Sequence, residues 1–346
     1  MKKEKNKVID LFCGCGGLSH GFIEAGYEVV LGVDYWSDAI STFKKNHVNV
    51  KGLVADLLNE LPEQISKKTG IENIDLIIGG PPCQGFSIAG KRIIEDERNK
   101  LYKAFVGFVE YFEPKAFLME NVPNIVSMGS GAIKDAIVSD FENLGYKVVY
   151  KVLMASDYGV PQNRKRAFFL GIKGNVEFVF PKPMQGNYIT SQEAISDLPK
   201  DSVADGSKYQ SEPNSEYQKA IRKNSNAVFN HETTKHSEQT VSIIDLVPDG
   251  GNYKNLPQRL QQTRNVNIAW TRLNSNKPSF TIDTGHRHHF HYKFNRVPTV
   301  RESARIQSFP DTFQFLGSKT SQYKQVGNAV PPLLAKVIAE ELKKYL

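Results

Sequence analysis

One cysteine that follows two prolines is the residue of this sequence best suited to covalent chemistry. Cys83 lies in the segment GGPPCQGFS (79–87), directly after the apolar run DLII (75–78). Taken alone, a single cysteine is more often a small buried hydrophobe. The rigid Pro-Pro step after a buried strand instead favours a nucleophile, because it holds the thiol at the end of a strand, where ligands bind.

A carboxylate and a basic cluster follow the same pattern farther along the chain. Glu120 comes after the apolar run 116–119 and could bind or protonate a ring nitrogen, with a helix N-terminal acid as the structural alternative. Arg164 and Arg166 precede the apolar run 167–171, which indicates a strand start rather than a solvated tail. Their guanidinium groups are suited to phosphate or base contacts.

A glycine-rich turn at 14–17 follows the first apolar run, VIDLF (8–12). Its spacing matches neither the phosphate-binding loop nor the dinucleotide fingerprint. Asp34 ends the next apolar run, where a carboxylate typically holds a ribose diol, and Asp56 could accept a hydrogen bond from an adenine amino group. The set favours a nucleoside without a pyrophosphate, such as S-adenosylmethionine; an NAD site and a purely structural turn are the alternatives.

Alternating strand-like and helix-like segments must position these groups. The pattern predicts strands at 8–12, 28–33, 75–78, 116–119 and 147–153, and it predicts helices through 22–25 and over 100–112, 133–144 and 332–345. Such alternation indicates an α/β fold with a doubly wound, mainly parallel sheet. The carboxyl ends of parallel strands form the ligand-binding edge, and the glycine-rich turn, Cys83 and Glu120 all fall there.

Composition narrows the class of protein. The 346 residues include 44 Lys or Arg and 37 Asp or Glu, which gives a formal net charge of +7. Hydrophobic residues make up 40%, which excludes a wholly disordered chain. The three cysteines argue against a disulfide scaffold and for a reducing compartment, and Cys13-x-Cys15 is too closely spaced for a usual zinc site. No apolar run of about 18 residues occurs, so we expect no membrane span.

Basic charge is concentrated in one polar stretch. Residues 251–300 hold eight Lys or Arg against Asp283 alone, a surplus of +7 that equals the surplus of the whole chain. Four histidines fall in the same stretch, at 286, 288, 289 and 291. Odd and even positions of an extended segment point to opposite faces, so we expect no metal site there.

Six motifs, in this order, resemble those of bacterial-type DNA (cytosine-5)-methyltransferases. They are DLFCGCGGLSHGF (10–22), GGPPCQGFS (79–87), MENV (119–122), QNRKR (162–166), RESARIQSFPD (301–311) and QVGNAVPP (325–332). The resemblance covers about 1–183 and 297–346. It implies a Rossmann-like S-adenosylmethionine-dependent fold, with a catalytic and cofactor-binding domain over 1–183 and 319–346. The polar residues 184–318 then form a smaller target-recognition domain.

The resemblance also implies a mechanism. Cys83 attacks C6 of a cytosine flipped out of duplex DNA, while Glu120 hydrogen-bonds or protonates N3. C5 then takes a methyl group from S-adenosylmethionine, which leaves S-adenosylhomocysteine. Arg164 and Arg166 hold the flipped nucleotide. The segment 86–98 is expected to close over the base as a lid.

Further site residues carry over from the family pattern or from charge. The expected cofactor-binding residues are Phe12, Gly14, Gly16, Asp34, Tyr35, Asp56, Leu57, Pro82, Leu101 and Asn328. The expected DNA-binding residues are Ser87, Arg98, Arg259, Arg264, Arg272, Arg287 and Arg296. Asp34 stands where the family frequently has Glu, and Tyr35 stands where Trp is known.

The biological setting follows from the same resemblance. The expected protein is a cytoplasmic, nucleoid-associated bacterial monomer that modifies a short duplex DNA sequence within a restriction-modification system. Whether a cognate restriction endonuclease exists, acting separately, is left open. Two alternatives stand beside this interpretation: a tRNA cytosine-5 methyltransferase, whose nucleophile loop typically reads PPCQPF, and a catalytically inactive DNA-binding accessory protein. Here Gly85 follows Gln84, which favours DNA.

Overall fold

The computed structural model describes residues 5–82, 100–263, 270–285 and 289–346. The chain divides into two compact units. Unit 1 contains Met1–Met154, Lys165–Pro183 and Leu334–Leu346, and unit 2 contains Ala155–Arg164 and Met184–Leu333. Packing thus assigns 155–164 and 319–333 to unit 2, whereas the sequence placed them in the catalytic domain. The functional domain boundaries stay a prediction.

Unit 1 is built on a seven-stranded sheet with the order β3-β2-β1-β4-β5-β8-β6. Its strands are β1 (Lys7–Leu11), β2 (Glu28–Asp34), β3 (Lys51–Val54), β4 (Leu76–Gly79), β5 (Ala116–Asn121), β6 (Tyr146–Met154) and β8 (Lys165–Lys173). Five neighbouring strands pair in parallel, whereas β8 runs antiparallel to both β5 and β6. The prediction of a mainly parallel α/β sheet is confirmed.

The central strands are apolar on both faces because helices cover both sides of a parallel sheet. Ile9, Leu31, Ile77 and Phe117 are fully buried in one hydrophobic core. The sequence runs VIDL, LIIG and AFLM therefore read as continuous apolar segments rather than as alternating ones. Polar residues begin where these strands end, and that change marks the ligand edge.

Six helices contribute to the described part of unit 1. They are α1 (Gly17–Glu24), α2 (Ser37–Asn46), α3 (Pro62–Thr69), α4 (Lys100–Phe112), α5 (Ala132–Glu142) and α12 (Pro332–Leu342), of which the last belongs to unit 1 from Leu334 onwards. The helix α4 buries its residues at 102, 105, 108, 109 and 112, which form one helical face. α12 ends three residues before the predicted end at 345. None of the described helices is long and apolar enough to cross a bilayer.

The last helix is fixed to the turn between α1 and β2. The Tyr27 hydroxyl donates to the Ala339 carbonyl at 3.1 Å, and the Lys343 ammonium donates to the Ala25 carbonyl at 2.5 Å. Gly26 adopts φ +89°, and a Cβ there would lie 2.9 Å from the Lys343 Nζ. The C-terminal helix is therefore an integral part of unit 1.

Unit 2 consists of short elements. Its helices are α6 (Ser191–Ile195), α7 (Glu216–Arg222), α8 (Glu238–Asp245), α9 (Gln258–Gln261), α10 (Val300–Ile306) and α11 (Lys319–Asn328). Its two-residue strands are β7 (Gln162–Asn163), β9 (Ser207–Lys208), β10 (Ala227–Val228), β11 (Thr271–Arg272), β12 (Ser279–Phe280) and β13 (His289–Phe290). Short 3-10 turns complete the two units at Pro123–Val126, Met128–Gly131, Ala155–Tyr158 and Tyr253–Asn255.

Buried ion pairs hold α10 in unit 2. All seven residues of α10 are buried. Arg305 is fully buried, and its guanidinium contacts the carboxylates of Asp197 and Asp311. Glu302 forms a capping box with Thr299. Because a charge is costly to bury without a partner, these pairs fix the packing of α10.

Candidate active site

The turn between β1 and α1 is shaped by its glycines. Gly14 and Gly16 adopt φ of +54° and +96°, in the left-handed region that favours glycine. A Cβ at Gly16 would lie 2.4 Å from the His47 ring, so glycine is also required there by space. Phe12, which precedes them, has φ +58° despite its side chain. The backbone is therefore strained where β1 meets the ligand edge, which is typical of a binding loop.

Asp34, at the end of β2, ties this turn to the neighbouring strand. Its Oδ2 accepts from the Gly14 amide at 2.8 Å and its Oδ1 accepts from the Trp36 amide at 2.9 Å. Burial raises the pKa of this carboxyl, and the backbone amides oppose the rise. A role of Asp34 toward a ribose diol stays a prediction.

Other predicted cofactor residues in unit 1 lie at or near the ends of the strands. Tyr35 follows β2 and is 66% exposed, so its ring is available to stack on a ligand. Asp56 follows β3 and is exposed, while its neighbour Leu57 belongs to the core. The Asp56 carboxylate accepts from the Leu58 amide and from the Asn59 side chain. Pro82 and Leu101 are half-buried, and Asn328 lies exposed at the end of α11 in unit 2.

These groups fit a nucleoside ligand. The open glycine backbone lets a ligand approach the chain closely. The exposed aromatic ring matches the base of an adenosine, and the carboxylates at the ends of β2 and β3 match its ribose and its amino group. Nine of the ten predicted cofactor residues lie in the described part of unit 1, and the tenth, Asn328, lies in unit 2. The donor set is therefore compatible with S-adenosylmethionine.

Glu120 and Arg166 form an ion pair on adjacent strands. Glu120 lies near the end of β5 and Arg166 near the start of β8, which pairs with β5 in antiparallel register. Arg166 Nε lies 2.8 Å from Glu120 Oε1, and the two side chains are 16% and 12% exposed. A Cβ at Gly80 would lie 2.9 Å from Glu120 Oε2, so the glycine leaves room for the carboxylate. The arrangement gives Glu120 a fixed orientation beside the segment that leads to Cys83.

Asn121 is a site residue to which the sequence analysis gave no role. Its side chain is 5% exposed. The Nδ2 donates to the Pro81 carbonyl at 3.0 Å, and the Oδ1 accepts from the Val122 amide at 2.8 Å. Pro82 has no amide hydrogen, so the Pro-Pro step cannot make the usual strand bonds. The signal in the sequence was a polar amide directly after an apolar strand, next to a candidate catalytic acid.

We expect Asn121→Asp to slow methyl transfer about 10- to 100-fold. A carboxylate oxygen in place of the amide nitrogen repels the Pro81 carbonyl, which shifts the backbone that leads to Cys83. Cofactor affinity should stay unchanged. The measurement is a single-turnover rate on plasmid DNA together with calorimetric binding of S-adenosylmethionine. The control is Asn124→Ala, an exposed amide in the next turn. A rate within twofold of wild type would remove the anchoring role.

Arg164 is fully buried in unit 2, unlike a solvated basic cluster. Its Nη2 donates to the Gly327 carbonyl at 2.9 Å, directly before Asn328. A Cβ at Gly327 would lie 2.2 Å from the Asp283 carbonyl oxygen, so the chain passes closely here. Arg164 thus supports the end of α11, and its predicted contact with the flipped nucleotide stays a prediction.

The predicted DNA contacts of two arginines do not fit the structure. Arg272 is buried and donates to four backbone carbonyls and to the Asn295 side chain. Arg296 forms two hydrogen bonds of 2.7 Å with the Glu302 carboxylate. Both guanidinium groups bind partners inside unit 2, so these two residues are structural. The net charge of residues 251–300 therefore includes two arginines that are not available for DNA contact.

The remaining predicted residues divide into two sets. Arg259, on α9, is exposed and stays a candidate for DNA contact. Five predicted residues lie outside the described residues: Cys83, Ser87, Arg98, Arg264 and Arg287. Of the histidines, His291 is buried, and its Nδ1 accepts from the Lys293 and Phe294 amides. Across the described ranges, the structure has no group of three or more His, Cys, Asp or Glu side chains placed to hold a metal.

Comparison with known proteins identifies the family. The model of the family "C-5 cytosine-specific DNA methylase" matches residues 6–344. The chain is 40% identical to the type II methyltransferase M.DdeI of Desulfomicrobium norvegicum, over 98% of this chain and 88% of the relative. It is also 40% identical to the type II methyltransferase M1.HphI of Haemophilus parahaemolyticus, over 97% and 86% of the two chains.

A solved structure agrees with these relatives. The fold matches an E. coli prophage protein assigned as a DNA modification methyltransferase, with a TM-score of 0.82 and 29% identity over 98% of this chain and 99% of that one. The motifs, the mainly parallel sheet and the family match thus lead to one conclusion. The chain belongs to the C-5 cytosine-specific DNA methylase family and is a DNA (cytosine-5)-methyltransferase.

Proposed function

We propose that this chain methylates C5 of a cytosine within a short duplex DNA sequence, with S-adenosylmethionine as donor and Cys83 as nucleophile. The observation that carries the proposal is the Glu120–Arg166 ion pair beside Gly80 and the Pro81 anchor. These contacts place an oriented carboxylate next to the segment that leads to the cysteine. Covalent catalysis requires this pairing of nucleophile and acid.

The proposed catalytic residues divide the reaction among them. The Cys83 thiolate forms a bond to C6, and the electrons of the C5–C6 double bond become available at C5. Glu120 supplies a hydrogen bond or a proton at N3, which makes C6 more electrophilic. Arg166 keeps the Glu120 carboxylate in place, and Arg164 and Arg166 hold the base and its phosphate. After methylation, a base or water removes the C5 proton and the S–C6 bond breaks, which frees Cys83.

The proposed cofactor is S-adenosylmethionine, which supplies an electrophilic methyl group when it is bound. Asp34 holds the ribose diol, Tyr35 stacks on the adenine, and Asp56 accepts from the adenine amino group. Phe12, Gly14, Gly16, Leu57, Pro82, Leu101 and Asn328 complete the proposed set. The exposed Tyr35 ring and the open space at Gly14, where a Cβ would meet no atom within 4 Å, support this assignment.

We expect Asp34→Ala to weaken cofactor binding by about 1–3 kcal/mol, because charge-assisted hydrogen bonds to the ligand and to the glycine turn are both lost. Calorimetry with S-adenosylmethionine measures the change. The control is Glu28→Ala, which removes an exposed carboxylate from the other end of β2. An unchanged dissociation constant for Asp34→Ala would show that other groups hold the diol.

The proposed biological role is that of a type II modification enzyme acting on chromosomal DNA in the bacterial cytoplasm, as a monomer. The names of the relatives M.DdeI and M1.HphI support the type II class. Arg259 and the residues Ser87, Arg98, Arg264 and Arg287 are the proposed contacts to DNA. The proposed partner is a cognate restriction endonuclease that acts separately on the same sequence.

Bisulfite sequencing of DNA from cells that express the chain tests this function. The expected result is protection of cytosines at one position of one short sequence. Tritium transfer by the purified chain to plasmid DNA, compared with bulk tRNA, separates this function from tRNA methylation. Transfer to tRNA alone would contradict the proposed substrate, and absence of transfer to either would contradict the proposed activity.

A further inference from the structure

Unit 2 contains a polar cleft that none of the site residues above explains. It has a volume of about 800 Å³. We name it the amide cleft, since its walls carry the side chains of Asn163, Asn187, Gln192, Asn276 and Lys277. These five residues are exposed, and all of them belong to unit 2. A cleft with this lining is suited to a ligand rich in hydrogen-bonding groups.

The walls of the amide cleft are fixed by backbone hydrogen bonds. The Ser191 amide donates to the Lys277 carbonyl at 2.9 Å, and the Gln192 amide donates to the Ser275 carbonyl at 3.2 Å. Strands β7 and β12 pair with Asn163 opposite Phe280. This pairing ties the wall that carries Asn163 to the wall that carries Asn276 and Lys277. The backbone of the cleft walls is therefore fixed before any ligand arrives, and the ordering entropy lost on binding is that of the side chains.

Some of the polar side chains that line the cleft have no hydrogen-bond or ion-pair partner in the described part of the chain. Among the described residues, the side-chain amides of Asn163, Asn187, Gln192 and Asn276 make no hydrogen bond, and the Lys277 ammonium makes no ion pair. Other polar groups of the lining are engaged. The Glu193 carboxylate accepts from the Thr190 amide and hydroxyl, and the Asn214 side chain accepts from the Ser196 hydroxyl.

This contrast restricts the chemistry of the ligand. Four amides present donors and acceptors in the cleft, and the positive charge of the Lys277 ammonium is opposed by the Glu193 carboxylate of the same lining. An amide matches the N6 and N7 edge of adenine, and an ammonium matches guanine or phosphate. Asn163 is also joined directly to Arg164, which the proposed function places at the flipped nucleotide. A base pair near the target cytosine would meet these requirements.

We infer that the amide cleft reads base edges of the duplex DNA substrate, with Gln192 and Asn276 as specificity-determining residues. The inference rests on the proposed function and adds to it the residues that choose the sequence. A bidentate contact of this type discriminates its base pair by about 5- to 150-fold. Removal of the amide should therefore relax the preference at one position of the recognition sequence and leave the others unchanged.

The test uses the full chain with a plasmid library that carries randomised sequences. Gln192→Ala, Asn276→Ala and the double variant are each incubated with S-adenosylmethionine, and methylated cytosines are found by bisulfite sequencing. The expected result is a 5- to 150-fold loss of preference at one position, with the cofactor dissociation constant and the thermal midpoint unchanged. The control is Asn226→Ala, an exposed amide of unit 2 outside the cleft.

Two outcomes overturn the inference. If all cleft variants methylate the wild-type sequence with wild-type preference, the cleft does not contact DNA. If they lose affinity for every sequence equally, the amides contact the phosphate backbone and do not read bases. Wild-type methylation in the same library keeps the two proposals apart, because its absence would contradict the proposed function and not the role of the cleft.

Discussion

Cys83→Ser is expected to abolish methyl transfer, with a loss of roughly 10⁴-fold or more. A thiolate is a strong nucleophile near neutral pH, whereas a serine hydroxyl without a dedicated base is not. Binding of S-adenosylmethionine should be retained, because Asp34 and the glycine turn are unchanged. The measurements are tritium transfer to DNA and calorimetric cofactor binding on the same preparation.

A DNA substrate with 5-fluorocytosine at the target gives a direct view of the covalent bond. Wild type should form a stable adduct, because the fluorinated C5 has no proton for a base to remove and Cys83 cannot be released. The matched control is Cys15→Ala: this thiol is buried, and burial raises its pKa to about 12, so it is not a thiolate at neutral pH. The adduct should persist in Cys15→Ala and be absent from Cys83→Ser. An adduct with Cys83→Ser would assign the nucleophile elsewhere.

Arg305→Ala is expected to produce the largest loss of stability, about 3–5 kcal/mol of the free energy of unfolding. The change removes one arginine partner from each of two buried carboxylates, Asp197 and Asp311, and leaves a cavity beside α10. Burial disfavours the charged forms, but the paired guanidinium holds the pKa of Asp311 below its usual value. Without Arg305, Asp197 keeps only Arg222 and Asp311 keeps only Arg301 among the described ion-pair partners, so the cost of burying the two carboxylates is less well offset.

Urea unfolding followed by fluorescence measures this effect, with Lys219→Ala as the control. Lys219 also forms an ion pair, with Glu216 at 2.7 Å, but both side chains are exposed. Solvent screens such a pair, so its removal should hardly move the midpoint. Equal midpoints for Arg305→Ala and Lys219→Ala would mean that the buried network contributes no more than a surface pair.

The sequence predicted four strands that end at the ligand edge, β1, β2, β4 and β5, but it did not predict β3. Buried strands of a parallel sheet are short apolar runs, and the polar residues that follow them are easily seen, as at Glu120 and Asp34. The sequence analysis did not predict that β8 inserts antiparallel between β5 and β6, because β8 is buried on both faces and its apolar run is continuous, as in a parallel strand. It also did not predict the contact between Asn121 and Pro81, which lie 40 positions apart.

The basic stretch shows why charge counts can mislead. Arg272 and Arg296 contributed to the surplus of +7, yet both are engaged inside unit 2. Each of them has a partner from a distant segment: the Ile244 carbonyl lies 28 positions from Arg272, and the Lys200 carbonyl lies 96 positions from Arg296. A composition window cannot distinguish an arginine with a distant internal partner from one that faces DNA.

The division of unit 1 into three chain segments has a consequence for its biosynthesis. The segment with α12 leaves the ribosome only after the whole of Met184–Leu333, about 150 residues, has been translated. At 5–20 residues per second this interval lasts roughly 8 to 30 s. During that time the Tyr27 hydroxyl and the Ala25 carbonyl of the nascent chain have no Ala339 or Lys343 to bind. The sheet that carries the chemistry therefore acquires its final packing only after the intervening unit has been made.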